Sequence, residues 1–328
     1  MCPEMIVKSR AESKQALLTL IQDSQTILLA SHTHPDGDAI GSLLGLGLGL
    51  GAMGKDVRFY NRDEVPYNFV FMPGSERVRP EVFPEQPDLS ILLDCAEPHR
   101  IGENFLKKGW GRSVAVIDHH KTFDPDFAHV YFRDVEAAAT GELVYEVLQG
   151  LGVEISLDIA KCIYCTLVTD TGSFRYSNTK KRTFDIAGEL IECGVDPWEI
   201  TSNVYESQPL ERIQLLSKVL QTLEISSCGR IAFLVIHSED LEGKDPSLID
   251  GFINYGRSIA GVEVATQLIG DNAEWRVSFR SKGKIDVSEI AQKFGGGGHH
   301  NAAGCTIVGE ATVVQQQLSE AFLSTLDV

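Results

Sequence analysis

The sequence predicts an α/β protein with two domains, the first built on a mainly parallel sheet with helices on both faces. Short runs rich in Val and Ile alternate with helical patterns over the first half of the chain. This alternation is typical of parallel strands connected through helices. A smaller set of strands and helices follows a strongly periodic stretch that begins at Pro209, and 328 residues are enough for two domains.

The elements of the first domain are expected within residues 1–206. Segments such as TILLAS (26–31) and SVAVIDH (113–119) are continuously apolar, as expected of strands buried on both faces. The predicted strands are 26–31, 56–61, 89–95, 113–119 and 128–132. The predicted helices are 9–23, 37–53, 136–150, 156–169, 181–193 and 197–206.

The second domain is expected over residues 207–328 and to be a smaller α/β unit. It opens with a connecting helix over 209–225, where Pro209 suits the start of a helix. The further predicted strands are 230–236, 262–269 and 275–281, and the further predicted helices are 286–294 and 311–325.

Composition excludes several classes of function. The net charge of −17 argues against a broad basic surface for long nucleic acid. The N-terminal residues lack the apolar core of a targeting segment. The seven cysteines are scattered rather than dense as in a disulfide scaffold, and this distribution suits a reducing cytoplasm. Cys162 and Cys165 form a lone CxxC pair in an apolar helical stretch, so we expect buried thiols there.

The longest uncharged run, AIGSLLGLGLGLGAMG (39–54), is short for a membrane span. Gly41, Gly45 and Gly49 recur every four residues and leave one helix face nearly bare. We therefore expect a buried helix that packs very closely against a neighbouring element, and no membrane association.

Asp and His side chains lie in four separate stretches, each at or beside the expected end of a strand. The stretches are SHTHPDGDAIGS (31–42), LLDCAEP (92–98), VIDHHK (116–121) and LVTDTGSF (167–174). Each alone also fits a turn, a helix cap or a surface histidine pair. In open α/β sheets, ligands bind at the carboxyl ends of the strands. Four such stretches at one edge would bring like charges together, which costs much free energy without a counter-ion.

Two divalent metal ions would remove that cost. His32, Asp36 and Asp38 follow an H-x₃-D-x-D spacing and can reach two neighbouring ions, Asp94 can bridge them, and His119 and Asp170 complete the set. Two such ions activate water and stabilise both the attacking and the leaving oxygen of an in-line displacement at phosphorus. The mixed Asp and His ligands favour Mn²⁺, Fe²⁺, Co²⁺ or Zn²⁺ over Mg²⁺, and the sequence does not choose among them.

These motifs, HTHPDGDAIGS, DCAEPHRIG, IDHH and VTDTGSFRYSNT, together with GGGGHHNAAG downstream, resemble the DHH phosphoesterase superfamily over nearly the whole chain. The closest similarity is to its stand-alone oligoribonucleases that also act on 3′-phosphoadenosine 5′-phosphate. The resemblance implies one ion on His32, Asp36 and Asp94, and a second on Asp38, Asp94, His119 and Asp170. It also implies that Asp118 supports the site and that His120 contacts the scissile phosphate.

The run GGGGHHNAAG (295–304) has two interpretations from the residues alone: a flexible loop or helix C-cap, or a nest of backbone N–H groups at a helix start that holds phosphate. The resemblance favours the second and implies that the C-terminal domain binds substrate across a cleft from the metals. The contacts it implies are Gly297, Gly298, His299, Arg257, Arg280 and Ser281. His300 stands where the family pattern has Lys or Arg.

The function implied is a metal-dependent phosphodiesterase that degrades very short RNA to mononucleotides, with 3′-phosphoadenosine 5′-phosphate as a further substrate. The alternatives are a hydrolase of cyclic or linear dinucleotides such as pApA and pGpG, a pyrophosphatase or exopolyphosphatase, and a nucleotide sensor without turnover. A long-substrate exonuclease of the RecJ type would need further domains. The expected partners are short oligonucleotides or small nucleotides, and a homodimer is compatible with the sequence.

Overall fold

The computed structural model describes residues 9–81, 85–103, 105 and 110–326, and residues 1–8, where we expect no targeting signal, lie outside this part. The chain divides into two compact units, Met1–Ser207 and Gln208–Val328. Each unit is built on its own six-stranded sheet. The α/β fold class predicted from the sequence is confirmed.

The sheet of the first unit is entirely parallel and has the order β3-β2-β1-β4-β5-β6. Its strands are β1 (Thr26–Ser31), β2 (Asp56–Tyr60), β3 (Val78–Arg79), β4 (Leu89–Leu93), β5 (Ser113–Asp118) and β6 (Val130–Arg133). The helices of this unit are α1 (Arg10–Asp23), α2 (Gly37–Ala52), α3 (Thr140–Gly150), α4 (Leu157–Asp170), α5 (Lys181–Glu192) and α6 (Pro197–Thr201), with a π-helical turn over Ser202–Glu206.

Both faces of this sheet are buried, which explains why its strands are apolar throughout. On β1, Ile27 and Leu29 face the larger core formed with α1 to α4, whereas Leu28 and Ala30 face a second core that includes Phe105. The strand order reverses between β1 and β4. A reversal of this kind leaves a crevice at the carboxyl ends of the two strands, where ligands of open α/β sheets bind.

Helix α2 packs directly on α4, as the bare glycine face predicts. A Cβ atom on Gly41 would lie 2.6 Å from the carbonyl oxygen of Cys162, which is shorter than any real contact. Cys162 and Cys165 are buried in α4, and burial raises the pKa of both thiols. Among the residues that the structure describes, no helix combines the length and apolar character needed to cross a membrane.

The second unit contains a mixed sheet of order β11-β12-β10-β9-β8-β7, in which only the β8–β9 pair is parallel. Its strands are β7 (Glu224–Ile225), β8 (Ile231–His237), β9 (Val264–Asp271), β10 (Glu274–Ser281), β11 (Gly297–His299) and β12 (Ala302–Ile307). Its helices are α7 (Leu210–Gln221), α8 (Ile253–Ser258), α9 (Val287–Lys293) and α10 (Ala311–Leu326). The connecting helix is therefore shorter than predicted, because β7 takes residues 224–225.

The glycine-rich run does not begin a helix, so the expectation of an N–H nest at a helix start is wrong. Gly295 (φ +73°) ends α9: its N–H donates to Gln292 at 3.0 Å, and the N–H of Gly296 donates to Ala291 at 2.8 Å. This pattern is a Schellman motif, the helix cap that was the other interpretation of the run. The remaining residues form a hairpin of β11 and β12.

Candidate active site

The predicted metal ligands converge at the carboxyl ends of the strands, beside the reversal of strand order. His32 directly follows β1, Asp94 follows β4, and His119 follows β5. Asp36 is the N-cap of α2, and Asp38 lies in its first turn. Asp170 is the last residue of α4. Carboxylates are favoured at the start of a helix and disfavoured at its end, so Asp170 in particular calls for a nearby positive charge.

Three overlapping groups of these side chains bring their ligand atoms within 4.8 Å of one another. One contains His32, Asp36 and Asp94, a second contains Asp38, His119 and Asp170, and a third contains Asp94, His119 and His120. All six metal ligands predicted from the sequence are thus members. The first group contains the residues that the resemblance assigns to one ion, and the second contains those assigned to the other ion apart from Asp94.

Asp94 lies at the centre of the cluster and is almost fully buried. Its Oδ2 is 3.3 Å from Nε2 of His32, and its Oδ1 is 3.6 Å from Nε2 of His119. Burial alone would raise the pKa of this carboxyl, but hydrogen bonds from His120 and His32 outweigh it and lower the pKa. The two oxygens of Asp94 therefore face opposite halves of the cluster, as a bridging ligand requires.

Unusual backbone conformations are concentrated in the same motifs. Within the described residues, the non-glycine residues with positive φ are His34, Asp94, Ser173 and Phe174. Asp94 has a φ of +55°. Such conformations cost free energy and are common at functional sites. Asp94, which has one of these backbone conformations, also carries the central carboxylate of the cluster.

The cluster has an excess of negative charge that a cation would neutralise. Burial and the neighbouring carboxylates Asp94, Asp170 and Asp36 raise the pKa of Asp38 well above its ordinary value. Burial likewise raises the pKa of Asp170 to about 7. A bound cation would favour the ionised form of these carboxylates. Carboxylate oxygens together with imidazole nitrogens also form a donor set that fits divalent metal ions.

His120 is held differently from the other histidines. Its Nδ1 lies 2.8 Å from Oδ1 of Asp118, a fully buried residue, and 3.3 Å from Oδ1 of Asp94. Burial would lower the pKa of His120, but these two carboxylates outweigh it and raise the pKa to about 11. The geometry thus gives a partly exposed imidazole ring fixed by Asp118 at the edge of the cluster.

Asp38 has three hydrogen-bond donors that the sequence motifs did not predict. Its Oδ1 accepts from Oγ of Ser42 and from the N–H of Gly141, both at 3.1 Å, and its Oδ2 accepts from the N–H of Thr140 at 2.7 Å. Ser42 lies one turn along α2, whereas Thr140 and Gly141 begin α3. The helix begins at Thr140 rather than at 136 as predicted, and its N-cap, Ala139, has no side chain that could accept a hydrogen bond.

In the second unit, the predicted substrate contacts occur on α8 and on neighbouring strands. Arg280 is opposite Ala302, which is opposite His299, so Arg280 and His299 belong to one row across β10, β12 and β11. Burial and the positive charge of Arg257 lower the pKa of Arg280. Ser281 is buried and accepts from the N–H of Gly283. The side chain of His299 lies outside the described part.

The glycines of the run differ in what the fold requires. A Cβ atom on Gly298 (φ +142°) would lie 2.5 Å from Cα of Ala303, so this glycine is needed for the close approach of β11 and β12. Gly297 has no positive φ, and a Cβ there would have no atom within 4 Å. The hairpin itself does not require glycine at 297.

The two units and the Asp and His cluster at the strand ends are those of a family of hydrolases that act on phosphate esters. The chain belongs to the DHH family: the model of the DHH family, N-terminal domain, matches residues 26–167, and that of the DHHA1 domain matches residues 231–327.

Two relatives are similar over most of their length. The bifunctional oligoribonuclease and PAP phosphatase NrnA of Thermus thermophilus is 35% identical over 284 residues, which cover 86% of this chain and 84% of the relative. The protein of the same name from Bacillus subtilis is 29% identical over 299 residues, which cover 90% and 93%. The crystal structure of an exopolyphosphatase-related protein from Bacteroides fragilis has a TM-score of 0.85, with 27% identity and coverage of 99% of this chain and 97% of that one.

Proposed function

We propose that this protein hydrolyses very short oligoribonucleotides to mononucleotides and also dephosphorylates 3′-phosphoadenosine 5′-phosphate. The observation that carries the proposal is the set of overlapping Asp and His groups at the carboxyl ends of β1, β4 and β5. The names of the Thermus thermophilus and Bacillus subtilis relatives support this choice of substrates.

Two divalent ions fit the donor set. The first would be held by His32, Asp36 and Asp94, and the second by Asp38, Asp94, His119 and Asp170. When bound, such ions activate water for in-line attack and neutralise charge on the phosphate. Mn²⁺ is favoured over Mg²⁺ because two of the six ligands are imidazoles, whereas Mg²⁺ prefers oxygen ligands and water.

His120 contacts the scissile phosphate in this proposal, and Asp118 positions it. Because Nδ1 of His120 is engaged by Asp118 at 2.8 Å, Nε2 is the ring nitrogen available to a phosphate oxygen. The charged imidazolium stabilises the negative charge that develops on that oxygen. Asp118 keeps the ring in one orientation and holds the proton on Nδ1.

The second unit binds the rest of the substrate through Arg257, Arg280, Ser281, Gly297, Gly298 and His299. In the described part of the chain, no carboxylate pairs with Arg257 or Arg280. The positive charge of Arg257 acts on Arg280 without a counter-ion, and Arg280 is also half-buried. A phosphate group would relieve both costs, since guanidinium groups bind phosphate oxygens in a bidentate manner.

The cellular setting is inferred from the thiols. Every cysteine that the structure describes is unpaired, including the exposed Cys193 and Cys228. Free thiols persist in a reducing environment, which supports a cytoplasmic location.

Turnover of a 5′-labelled diribonucleotide in the presence of Mn²⁺ tests this proposal. The assay should be run in parallel on pApA, pGpG, 3′-phosphoadenosine 5′-phosphate and pyrophosphate. We expect mononucleotides from the dinucleotides and AMP from 3′-phosphoadenosine 5′-phosphate, with pyrophosphate the poorest substrate. Rapid hydrolysis of pyrophosphate with intact dinucleotides would contradict the proposal, as would ligand binding without any product.

A further inference from the structure

We propose that Thr140 is a positioning residue for one half of the metal site, the half that contains Asp38 and His119. This inference rests on the two-ion function proposed above. Thr140 is fully buried and is the first residue of α3. It lies in none of the four motifs that predicted the metal ligands.

Thr140 contacts two of the buried carboxylates at once. Its backbone N–H donates to Oδ2 of Asp38 at 2.7 Å, and its hydroxyl donates to Oδ1 of Asp94 at 3.0 Å. These carboxylates come from the start of α2 and the end of β4. A single residue therefore fixes the distance between two ligands that are far apart in the sequence.

These contacts fall on one side of the cluster. Oδ1 of Asp94, which accepts the hydroxyl of Thr140, is the oxygen near His119, whereas Oδ2 faces His32. Oδ2 of Asp38, which accepts the N–H of Thr140, is 3.7 Å from Nε2 of His119. Thr140 therefore supports the ion bound by Asp38, Asp94, His119 and Asp170, and makes no contact with the side that His32 forms.

The same hydrogen bonds limit how Asp38 can bind an ion. Each carboxylate oxygen has two lone pairs. Oδ1 of Asp38 already accepts from Ser42 and Gly141, whereas Oδ2 accepts only from Thr140. One lone pair on Oδ2 is thus left, and Asp38 would offer it to an ion in a direction set by the N–H of Thr140.

The test is metal binding by Thr140→Val, which keeps the shape of the side chain and removes its hydroxyl. Calorimetric titration of metal-free protein with Mn²⁺ should resolve two ions in the wild type. In the variant we expect the affinity of one ion to fall about 10–100-fold, as is typical when a partner of a ligand is lost. The affinity of the other ion should stay within about twofold. A wild type that binds no metal would instead refute the proposed function.

A matched control is Thr183→Val, because Thr183 is also fully buried and its hydroxyl also donates to a buried carboxylate, that of Glu142, at 2.7 Å. It should leave both metal affinities unchanged.

The pair Thr140→Ser and Thr140→Ala isolates the hydroxyl even where the valine variant folds poorly. Both variants lack the methyl group, and only the serine variant should bind two ions as the wild type does.

Three results would overturn the proposal: unchanged binding of both ions in Thr140→Val, equal weakening of both ions, or a serine variant no better than the alanine variant. Thermal unfolding of each metal-free variant identifies any general loss of stability.

Discussion

Nε2 of His32 and Oδ2 of Asp94 face each other across 3.3 Å and join the ends of β1 and β4, the two strands between which the strand order reverses. This contact links the motif around residue 32 to the one around residue 94. It places an imidazole and a carboxylate in the crevice where ligands of such sheets bind.

Replacing Asp94 by Asn should abolish turnover and lower the metal content. Asn keeps the shape of the side chain and tolerates the positive φ of this position, whereas Ala would be strained there. We expect a loss of activity larger than the roughly 10–100-fold typical of residues outside the ligand set. Activity and elemental analysis measure it. The control is Asp88→Asn, which changes a carboxylate at the opposite end of β1 and should retain both metals. Near-normal metal content in Asp94→Asn would show that Asp94 does not bridge the two ions.

Replacing His32 by Ala should remove one ion and leave the other. His32 groups with Asp36 and Asp94, whereas Asp38, His119 and Asp170 form a separate group. Elemental analysis of the purified variant should give about half of the wild-type metal content. Simultaneous loss of both ions would show that the ligands are divided differently. Thr140→Val should have the complementary effect, because it should lower the affinity for the other ion.

Gly297 and Gly298 should respond differently to alanine. At Gly298 both the positive φ and the close approach of Ala303 oppose a side chain, so Gly298→Ala should lower the free energy of unfolding by about 1–3 kcal/mol. At Gly297 the space is open, so stability should not change. A rise in KM for a dinucleotide in Gly297→Ala, with unchanged hydrolysis of bis-p-nitrophenyl phosphate, would then report contact with the substrate. If KM is also unchanged, Gly297 does not line the binding site.

Gly41 and Gly51 provide a similar comparison within α2. A Cβ on Gly41 would collide with backbone of α4, so Gly41→Ala should destabilise the protein by about 1–3 kcal/mol. Gly51 lies near the exposed end of the helix with no atom within 4 Å of the added carbon, so Gly51→Ala should stabilise it by about 0.5–1 kcal/mol. Denaturant unfolding monitored by circular dichroism measures both, and equal effects would argue against close packing of α2 on α4.

Acid should weaken the first unit partly through Glu146. Burial would raise the pKa of Glu146, but hydrogen bonds from Arg10 and Lys14 outweigh it and lower the pKa to about 2 from an ordinary value of 4.5. Because the folded pKa is the lower one, the stabilisation is complete above pH 4.5 and is lost as the pH falls towards 2. Glu146→Gln should therefore be less stable than the wild type at pH 7, and the gap should close in acid. A gap that is constant with pH would contradict this assignment.

Much of the first unit could be predicted because its signals are local. Apolar runs such as 26–31 gave strands at or within a few residues of their observed bounds, and the glycines at 41 and 45 predicted a close helix contact. The Asp and His motifs predicted which side chains would converge, because the carboxyl ends of parallel strands meet at one edge.

The contacts that orient these side chains could not be predicted in the same way. Thr140 reaches Asp38 across 102 positions of the chain, and no local pattern specifies such a partner. The hairpin at 297–307 was missed because glycines give little strand signal: β11 is held by backbone pairing with β12 rather than by apolar side chains. There the resemblance favoured a phosphate nest, and the helix cap at Gly295 was the better local interpretation.

Helix α3 has no cap of its own and uses the carboxylate of Asp38 instead, which affects the choice of inactive variants as laboratory reagents. Uncapped backbone N–H groups at a helix start cost about 0.5–2 kcal/mol, so replacing Asp38 by Ala should damage α3 as well as catalysis. An investigator who wants a catalytically dead protein to trap a substrate in crystals or to capture RNA should therefore change His120. Asp38 variants would give a misleading negative control.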